Sequence, residues 1–310
     1  MSEDGAQSAS KHQGIRDDLF DASFLGRVEQ LALLARRMAS AGTRANRRSR
    51  VVGSGIEFAD HRAYTHGDDL RTLDWKLFAR TDRLNLRLYE EEEDLSVYFL
   101  IDRSTSMTMA PEGERTLLDR ALQVSAALSY IALSNLDRVA VVPFGQTVEQ
   151  AQRPVRGRSQ FFKILRVLSG VQAGGQTDIA GSLQTWLRTQ PRPGLVVLIS
   201  DFFDQKGLGD ALHMLTYRGF EPMVLQLVDR TLLDADVQGD LAVVDCETGE
   251  VRDIVLTPEL LARYRKAFED LGHEVQRAAS SVGARCLQVD LALPFDDVVM
   301  RVFRAGGFLG

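Results

Sequence analysis

Apolar residues recur at three- and four-residue spacing from about Asp18 to Ala41, at Leu19, Phe24, Leu25, Val28, Leu31, Leu34, Ala35 and Met38. That period predicts one amphipathic helix. A basic stretch (Arg36, Arg37, Arg44, Arg47, Arg48, Arg50) leads into a polar, glycine-punctuated segment over 51–80, where short strands and loops are expected. A strand at about 84–90 and an acidic run, Glu90–Asp94, close this part of the chain. The pattern changes at Leu95. LSVYFLID is a short β-rich apolar run of the kind buried on both faces of a sheet. Helical spacing follows at about 114–135, then a strand at 138–144 (RVAVVPF), a short partner strand at 147–152, and helices at about 158–169 and 179–189. Strands at 195–200 (LVVLIS) and 222–228 (PMVLQLV) flank a helix at 207–218. A weaker hairpin, 241–245 with 250–255, turns at Glu247-Thr248-Gly249. Thr257 and Pro258 open a helix that runs to about Ser281, and ARCLQVD (284–290) is the last strand.

Strands alternating with helices over about 200 residues predict an α/β fold, a doubly wound and mostly parallel sheet with helices on both faces. An N-terminal helix and a small β-rich segment precede it. The expected divisions are a disordered tail at 1–17, the helix and β-rich segment at 18–94, the α/β domain at 95–303 and a flexible tail at 304–310. Composition adds exclusions. The net charge of −6, with no arginine-rich tail, argues against a nucleic-acid partner. Of the 37 basic residues 32 are arginine, a bias that codon composition explains more simply than a surface for acidic partners. Cys246 and Cys286 lie outside any C-x-x-C spacing and read as reduced thiols. No apolar run approaches the length of a membrane span, and the first residues lack a signal peptide's apolar stretch, so a cytoplasmic location is expected.

In doubly wound sheets ligands bind beyond the carboxyl ends of the strands. Two strands end there in chemistry. LSVYFLI is followed by Asp102-Arg103-Ser104-Thr105-Ser106, and LVVLIS by Asp201; the loop Gly174-Gly175-Gln176-Thr177-Asp178 lies between them in sequence. Two carboxylates and three hydroxyls, with no His or Cys, suit a hard divalent cation. Alone, each residue is equally at home in a turn or helix cap. Asp102-x-Ser104-x-Ser106, then Thr177, then Asp201 together resemble the metal-ion-dependent adhesion site of von Willebrand factor A domains. The resemblance implies that Ser104, Ser106 and Thr177 coordinate a bound Mg²⁺ or Mn²⁺. It also implies that Asp102 and Asp201 act directly or through water, and that an Asp or Glu of a protein ligand completes the shell.

The preceding block carries a second, narrower resemblance. Gly53-x-Gly55-x-Glu57-Phe58, Arg62-x-Tyr64, Gly67-Asp68-Asp69-x-Arg71-x-x-Asp74-Trp75 and Ala79-Arg80 resemble the bacterial family labelled domain of unknown function 58. The resemblance spans roughly Arg48 to Phe303. In that family the block precedes an A-type domain, and relatives are typically encoded beside MoxR-type AAA+ ATPases. It implies an adaptor or co-chaperone that such an ATPase engages. From the residues themselves two readings of the block stand. It is a recognition surface that uses Arg62, Tyr64, Asp68, Arg71 and Trp75, or a salt-bridged subdomain packing its aromatics. His61 and His66, with no third ligand in sight, do not make a zinc site.

An enzymatic alternative is a metal-dependent phosphohydrolase with Asp102 as nucleophile. Such enzymes of the haloacid dehalogenase type need a second carboxylate two residues on, where this chain has Ser104. No Walker motif is present either. A scaffold with a vestigial metal site is the remaining alternative. The sequence therefore favours a non-catalytic, metal-dependent protein-binding module.

Overall fold

The computed structural model describes residues 19–41, 52–53, 57–90, 95–110, 115–148, 152–233, 239–244 and 250–306. The chain divides into two units, Met1–Arg37 with Leu95–Phe308 and Met38–Asp94 with Leu309–Gly310. In chain order, α1 (Ala22–Ala41) is followed by β1 (Val52–Gly53), β2 (Glu57–Ala63), α2 (Trp75–Thr81) and β3 (Asn85–Glu90). Then come β4 (Ser96–Asp102), α3 (Leu117–Ser134), β5 (Arg138–Phe144), β6 (Val155–Arg156), α4 (Phe161–Ser169), α5 (Ile179–Leu187) and β7 (Leu195–Ser200). The last are α6 (Leu208–Tyr217), β8 (Glu221–Val228), β9 (Gly239–Val244), β10 (Val251–Leu256), α7 (Pro258–Ser281), β11 (Arg285–Asp290) and α8 (Phe295–Ala305).

The larger unit is a six-stranded sheet in the order β11-β8-β7-β4-β5-β6. All pairings are parallel except that of β6, which joins β5 antiparallel through Val139↔Val155 and Arg138↔Arg156. The α/β fold class read from the sequence is the one observed. Every residue of β4 is buried, as expected of a central strand covered on both faces. Alternation divides it. Tyr98 and Leu100 join a core with Leu183 and Trp186 of α5, Leu212 of α6 and Val275 of α7, while the intervening Val97, Phe99 and Ile101 are equally buried. Gly194, before β7, sits where a Cβ would overlap the Ser96 carbonyl, so only glycine admits this close approach. α3 starts with a reciprocal cap: the Thr116 hydroxyl accepts the Asp119 N–H and the Asp119 carboxylate accepts the Thr116 N–H.

Helix α1 exists where its period places it. Through Arg37 it counts with the larger unit, not with the β-rich segment that follows it in sequence. Phe24, Val28, Leu31 and Ala35 form its buried stripe, Phe24 packs on Phe295 with ring centroids 5.5 Å apart, and Arg27 pairs with Asp296 at 3.1 Å. Three elements differ from expectation. The described antiparallel partner of β5 lies at 155–156, between Pro154 and Gly157; of the expected partner at 147–152, residues 149–151 lie outside the described residues. Helix α2 occupies a stretch expected to hold strands and loops, since Asp74 caps it by accepting the N–H groups of Lys76 and Leu77. Helix α8 was not anticipated, although Phe295, Val298, Val299, Val302 and Phe303 recur at helical spacing as its buried stripe, and it takes in Arg304 and Ala305, which were expected in a flexible tail. Residues 1–17, the run Glu91–Asp94, the turn 247–249 and residues 307–310 lie outside the described residues.

The smaller unit holds an antiparallel sheet in the order β1-β3-β2. Asp74 organises it. Its carboxylate accepts from Arg87 at 2.8 Å and from the two N–H groups that open α2, and it meets His61 Nε2 at 2.9 Å. No described helix is long and apolar enough to cross a membrane.

Leu198, fully buried at the centre of β7, sets a measurable scale for the core. Leu198→Ala is expected to lower unfolding stability by about 2–5 kcal/mol, read as an unchanged slope and a lower midpoint in urea.

Candidate functional site

At the carboxyl end of β4 the chain must bury a carboxylate. Asp102 is 1% exposed and takes hydrogen bonds on both oxygens. Oδ1 accepts the Ser104 N–H at 2.9 Å and the Thr177 hydroxyl at 2.9 Å, and Oδ2 accepts the Ser200 hydroxyl at 2.6 Å. Burial pushes the Asp102 carboxyl above its ordinary range, opposed by the hydrogen bonds from Ser200, Ser104 and Thr177. The Oγ atoms of Ser104 and Ser106, both buried, lie 2.9 Å apart.

Local geometry explains this gathering. After Asp102 the chain enters a 3-10 turn, Thr105–Thr108, anchored by the fully buried Met107. The Gly174–Asp178 loop is tied to it. Gly174 N–H reaches the Arg103 carbonyl at 2.7 Å, and Thr105 donates its N–H to the Gly175 carbonyl at 3.0 Å. Gly175 has φ +79, a left-handed backbone that glycine adopts without strain. Asp178 then caps α5 by accepting the Gly181 N–H, and its own N–H is held by the Gly145 carbonyl. Thr177 is thereby aimed at Asp102.

The third loop starts at Ser200. Parallel pairing of Ile101 with Ile199 puts Ser200 beside Asp102. The Ser200 hydroxyl donates to Asp102 and accepts the Phe202 N–H at 2.9 Å. Phe202 is fully buried at φ +57, a conformation that costs a bulky residue roughly 1–3 kcal/mol and that the surroundings must enforce. Asp201 lies between them, 4% exposed, with Oδ1 accepting the Phe203 N–H at 3.1 Å and its carbonyl accepting from Gln226.

Hydrogen bonds thus bring Asp102, Ser104, Ser106 and Thr177 into one constellation, and Asp201 adjoins it through Ser200. Ser200 was not singled out from the sequence. A hydroxyl at the last position of a buried strand, beside an aspartate, is the signal that could have found it. No group of three or more His, Cys, Asp or Glu side chains is gathered among the described residues, so a cation held here is held largely by hydroxyls. The donor set fits one. It is all oxygen, two carboxylates and three hydroxyls without His or Cys, which is the chemistry a hard divalent cation takes.

The candidate recognition residues of the smaller unit meet a different fate. Arg62 pairs with Asp68 at 2.7 Å, and Asp68 also accepts the Thr65 N–H and hydroxyl. These contacts hold the Asp68 carboxyl down at about 2. Asp68 therefore closes a loop. Tyr64 is half-buried with its N–H on the Leu84 carbonyl, and the Arg71 N–H is bound by Asp69. Trp75 is 63% exposed and meets Phe78 edge-on. His61, set aside as a zinc ligand, is a partner of Asp74 instead.

Among protein-family models, that of the family described as Protein of unknown function DUF58 matches residues 60–278. The uncharacterized protein Rv1480 of Mycobacterium tuberculosis is 24% identical over 280 residues, covering 89% of this chain and 87% of that protein. The uncharacterized protein Mb1516 of Mycobacterium bovis matches to the same extent. Among solved structures, the conserved hypothetical protein BatB from Bacteroides thetaiotaomicron aligns with 69% of this chain and 98% of its own, at 15% identity and TM-score 0.47. The SpRpn10 VWA domain aligns with 66% of this chain and 93% of its own, at 12% identity and TM-score 0.37.

Two outcomes are expected. Ser200→Ala removes the donor to Asp102 Oδ2, leaving that buried oxygen unpaired, and is expected to lower unfolding stability by about 1–3 kcal/mol; a urea melt reads it. In the smaller unit the Asp68 and Asp74 carboxyls sit below their unfolded values, so their contribution is present above about pH 4 and is lost as pH falls toward the Asp68 value of about 2. Acid titration of Trp75 emission in a Trp186→Phe background should show that loss, with a smaller pH dependence in Asp74→Asn.

Proposed function

This chain belongs to the DUF58 family, and from that premise we propose that it is a non-catalytic protein-binding module. It holds Mg²⁺ or Mn²⁺ through Ser104, Ser106, Thr177, Asp102 and Asp201 and receives an Asp or Glu from another protein. The observation that carries this reading is the buried Asp102 carboxylate, met by donors from three separate loops beside a pair of hydroxyls in contact. Two carboxylates formally neutralise a divalent cation, so an incoming carboxylate is drawn by an open coordination position and not by net charge. The bound ion would supply Lewis-acid attraction for an incoming carboxylate.

The residues speak against chemistry on a bound substrate. Position 104, where a phosphohydrolase of the dehalogenase type needs an acid, is a serine whose hydroxyl contacts Ser106. Family resemblance suggests the partner: a MoxR-type AAA+ ATPase, for which this chain serves as adaptor or co-chaperone. Among the described residues of the smaller unit, Trp75, Leu70 and Leu84 expose apolar surface to such a partner.

Two measurements test the reading separately. At Mg²⁺ near one hundred times Kd, linkage predicts a gain of about 2.7 kcal/mol, seen as a rise in melting temperature that EDTA reverses. The gain should vanish in Asp102→Ala and in the Ser104→Ala, Ser106→Ala double variant. A MoxR-type ATPase from the same genome should be retained by the Mg²⁺-loaded chain, and released by EDTA or by either variant. Retention indifferent to all of these would move the contact to the smaller unit.

A further inference from the structure

A second feature adjoins the hydroxyl site. The carboxyl ends of β7 and β8 border a crevice lined by Asp201, Phe203 and Asp229, with Met109, Phe268 and Leu271 among its apolar walls. Asp229 is 3% exposed. Its Oδ1 closes the turn after β8 by accepting the Thr231 N–H at 2.9 Å and hydroxyl at 2.6 Å. Its Oδ2 is buried and receives no hydrogen bond among the described residues. A carboxylate oxygen left this way among carbon atoms carries a desolvation penalty that only a cationic or proton-donating group relieves.

Charge geometry and walls select the cation. Asp229 leaves one oxygen free in a crevice of about 270 Å³ including open solvent, which suits the compact point charge of an ammonium and not the two-pronged fork of a guanidinium. A bare Mg²⁺ or Ca²⁺ would need six or more oxygens, whereas the crevice offers only the carboxylates of Asp201 and Asp229 among Met, Phe and Leu side chains. A lysine brings its own aliphatic stem to cover such walls. Two aromatic side chains near Asp229 remain part-exposed, Phe203 at 44% and Tyr264 at 40%. Burial pushes the Tyr264 phenol up, and the charge of Asp229 adds to the shift. Aromatic faces beside a carboxylate are a recurrent setting for ammonium groups.

We infer that this crevice receives the ammonium group of a lysine on a partner protein, with Asp229 as its counter-ion. Because Asp201 belongs both to the crevice and to the hydroxyl site, one partner segment bearing an acid and a lysine would engage both. That coupling rests on the metal-site reading; the ammonium contact does not.

The test uses the full chain and three probes, the Nα-acetyl N-methylamides of lysine, norleucine and arginine. Ring and methyl NMR signals of Phe203, Tyr264 and Met109 are followed in Mg²⁺ and in EDTA. Saturable shifts are expected with the lysine probe in both conditions, with apparent affinity about tenfold or more above the norleucine and arginine probes. Asp229→Asn keeps an oxygen for Thr231 and should erase the preference without changing the melt. Equal response to norleucine, or a preference that survives in Asp229→Asn, overturns the inference. The wild-type comparison decides the matter alone if the variant fails to fold. A lysine preference intact in a protein that shows no Mg²⁺ binding would support this inference while overturning the metal-site reading.

Discussion

The larger unit is organised around one electrostatic problem, a carboxylate buried at the end of its most enclosed strand. Water does not reach Asp102, so its charge must be met by donors the chain itself supplies. They come from the turn after β4, the loop before α5 and the last residue of β7. Satisfying one side chain therefore fixes three loops against each other. The cost of holding Phe202 in left-handed backbone is met within the same arrangement, because the Ser200 hydroxyl that steadies Asp102 also takes the Phe202 N–H. Such preorganisation is what a site needs if its ligands are neutral hydroxyls, which have little charge of their own to pull a cation into place.

Much of this was legible in the residues, for a reason that lies in parallel sheets. A strand buried on both faces must be apolar throughout, so LSVYFLID and LVVLIS announce both their position and the point where polarity returns. Asp102 and Asp201 stand at that point. Thr177 was legible through its place before a capped helix. Ser200 was hidden because a hydroxyl inside an apolar run reads as part of the strand; only the pairing of β4 with β7 shows that it faces Asp102. Asp229 stands at the same kind of point, directly after PMVLQLV, but it belongs to no motif, and its turn with Thr231 masks the oxygen left over.

The smaller unit was less legible. Its charges alternate, and alternation does not say which opposite charges meet. Arg62 and Asp68, six apart, close a loop, whereas Asp74 reaches thirteen residues in either direction to His61 and Arg87. Those pairings follow from the register of β2 on β3, which sets His61 opposite Arg87. No local pattern encodes that register. The same holds for α1, whose period predicts the helix while its attachment to the larger unit depends on distant partners such as Asp296.

The end of the sheet at β6 bears on how the molecule keeps to itself. An open sheet edge invites another chain to add a strand, and a long one is a route to polymerisation. Here the edge strand is two residues long, its Arg156 side chain is turned back to the Leu136 carbonyl, and Pro154 stands before it. Beyond that pair β5 carries Pro143, which has no N–H to offer a newcomer. Growth by strand addition is discouraged along this flank, so a binding surface at the strand ends can stay open in a crowded solution without the sheet beneath it recruiting its own copies.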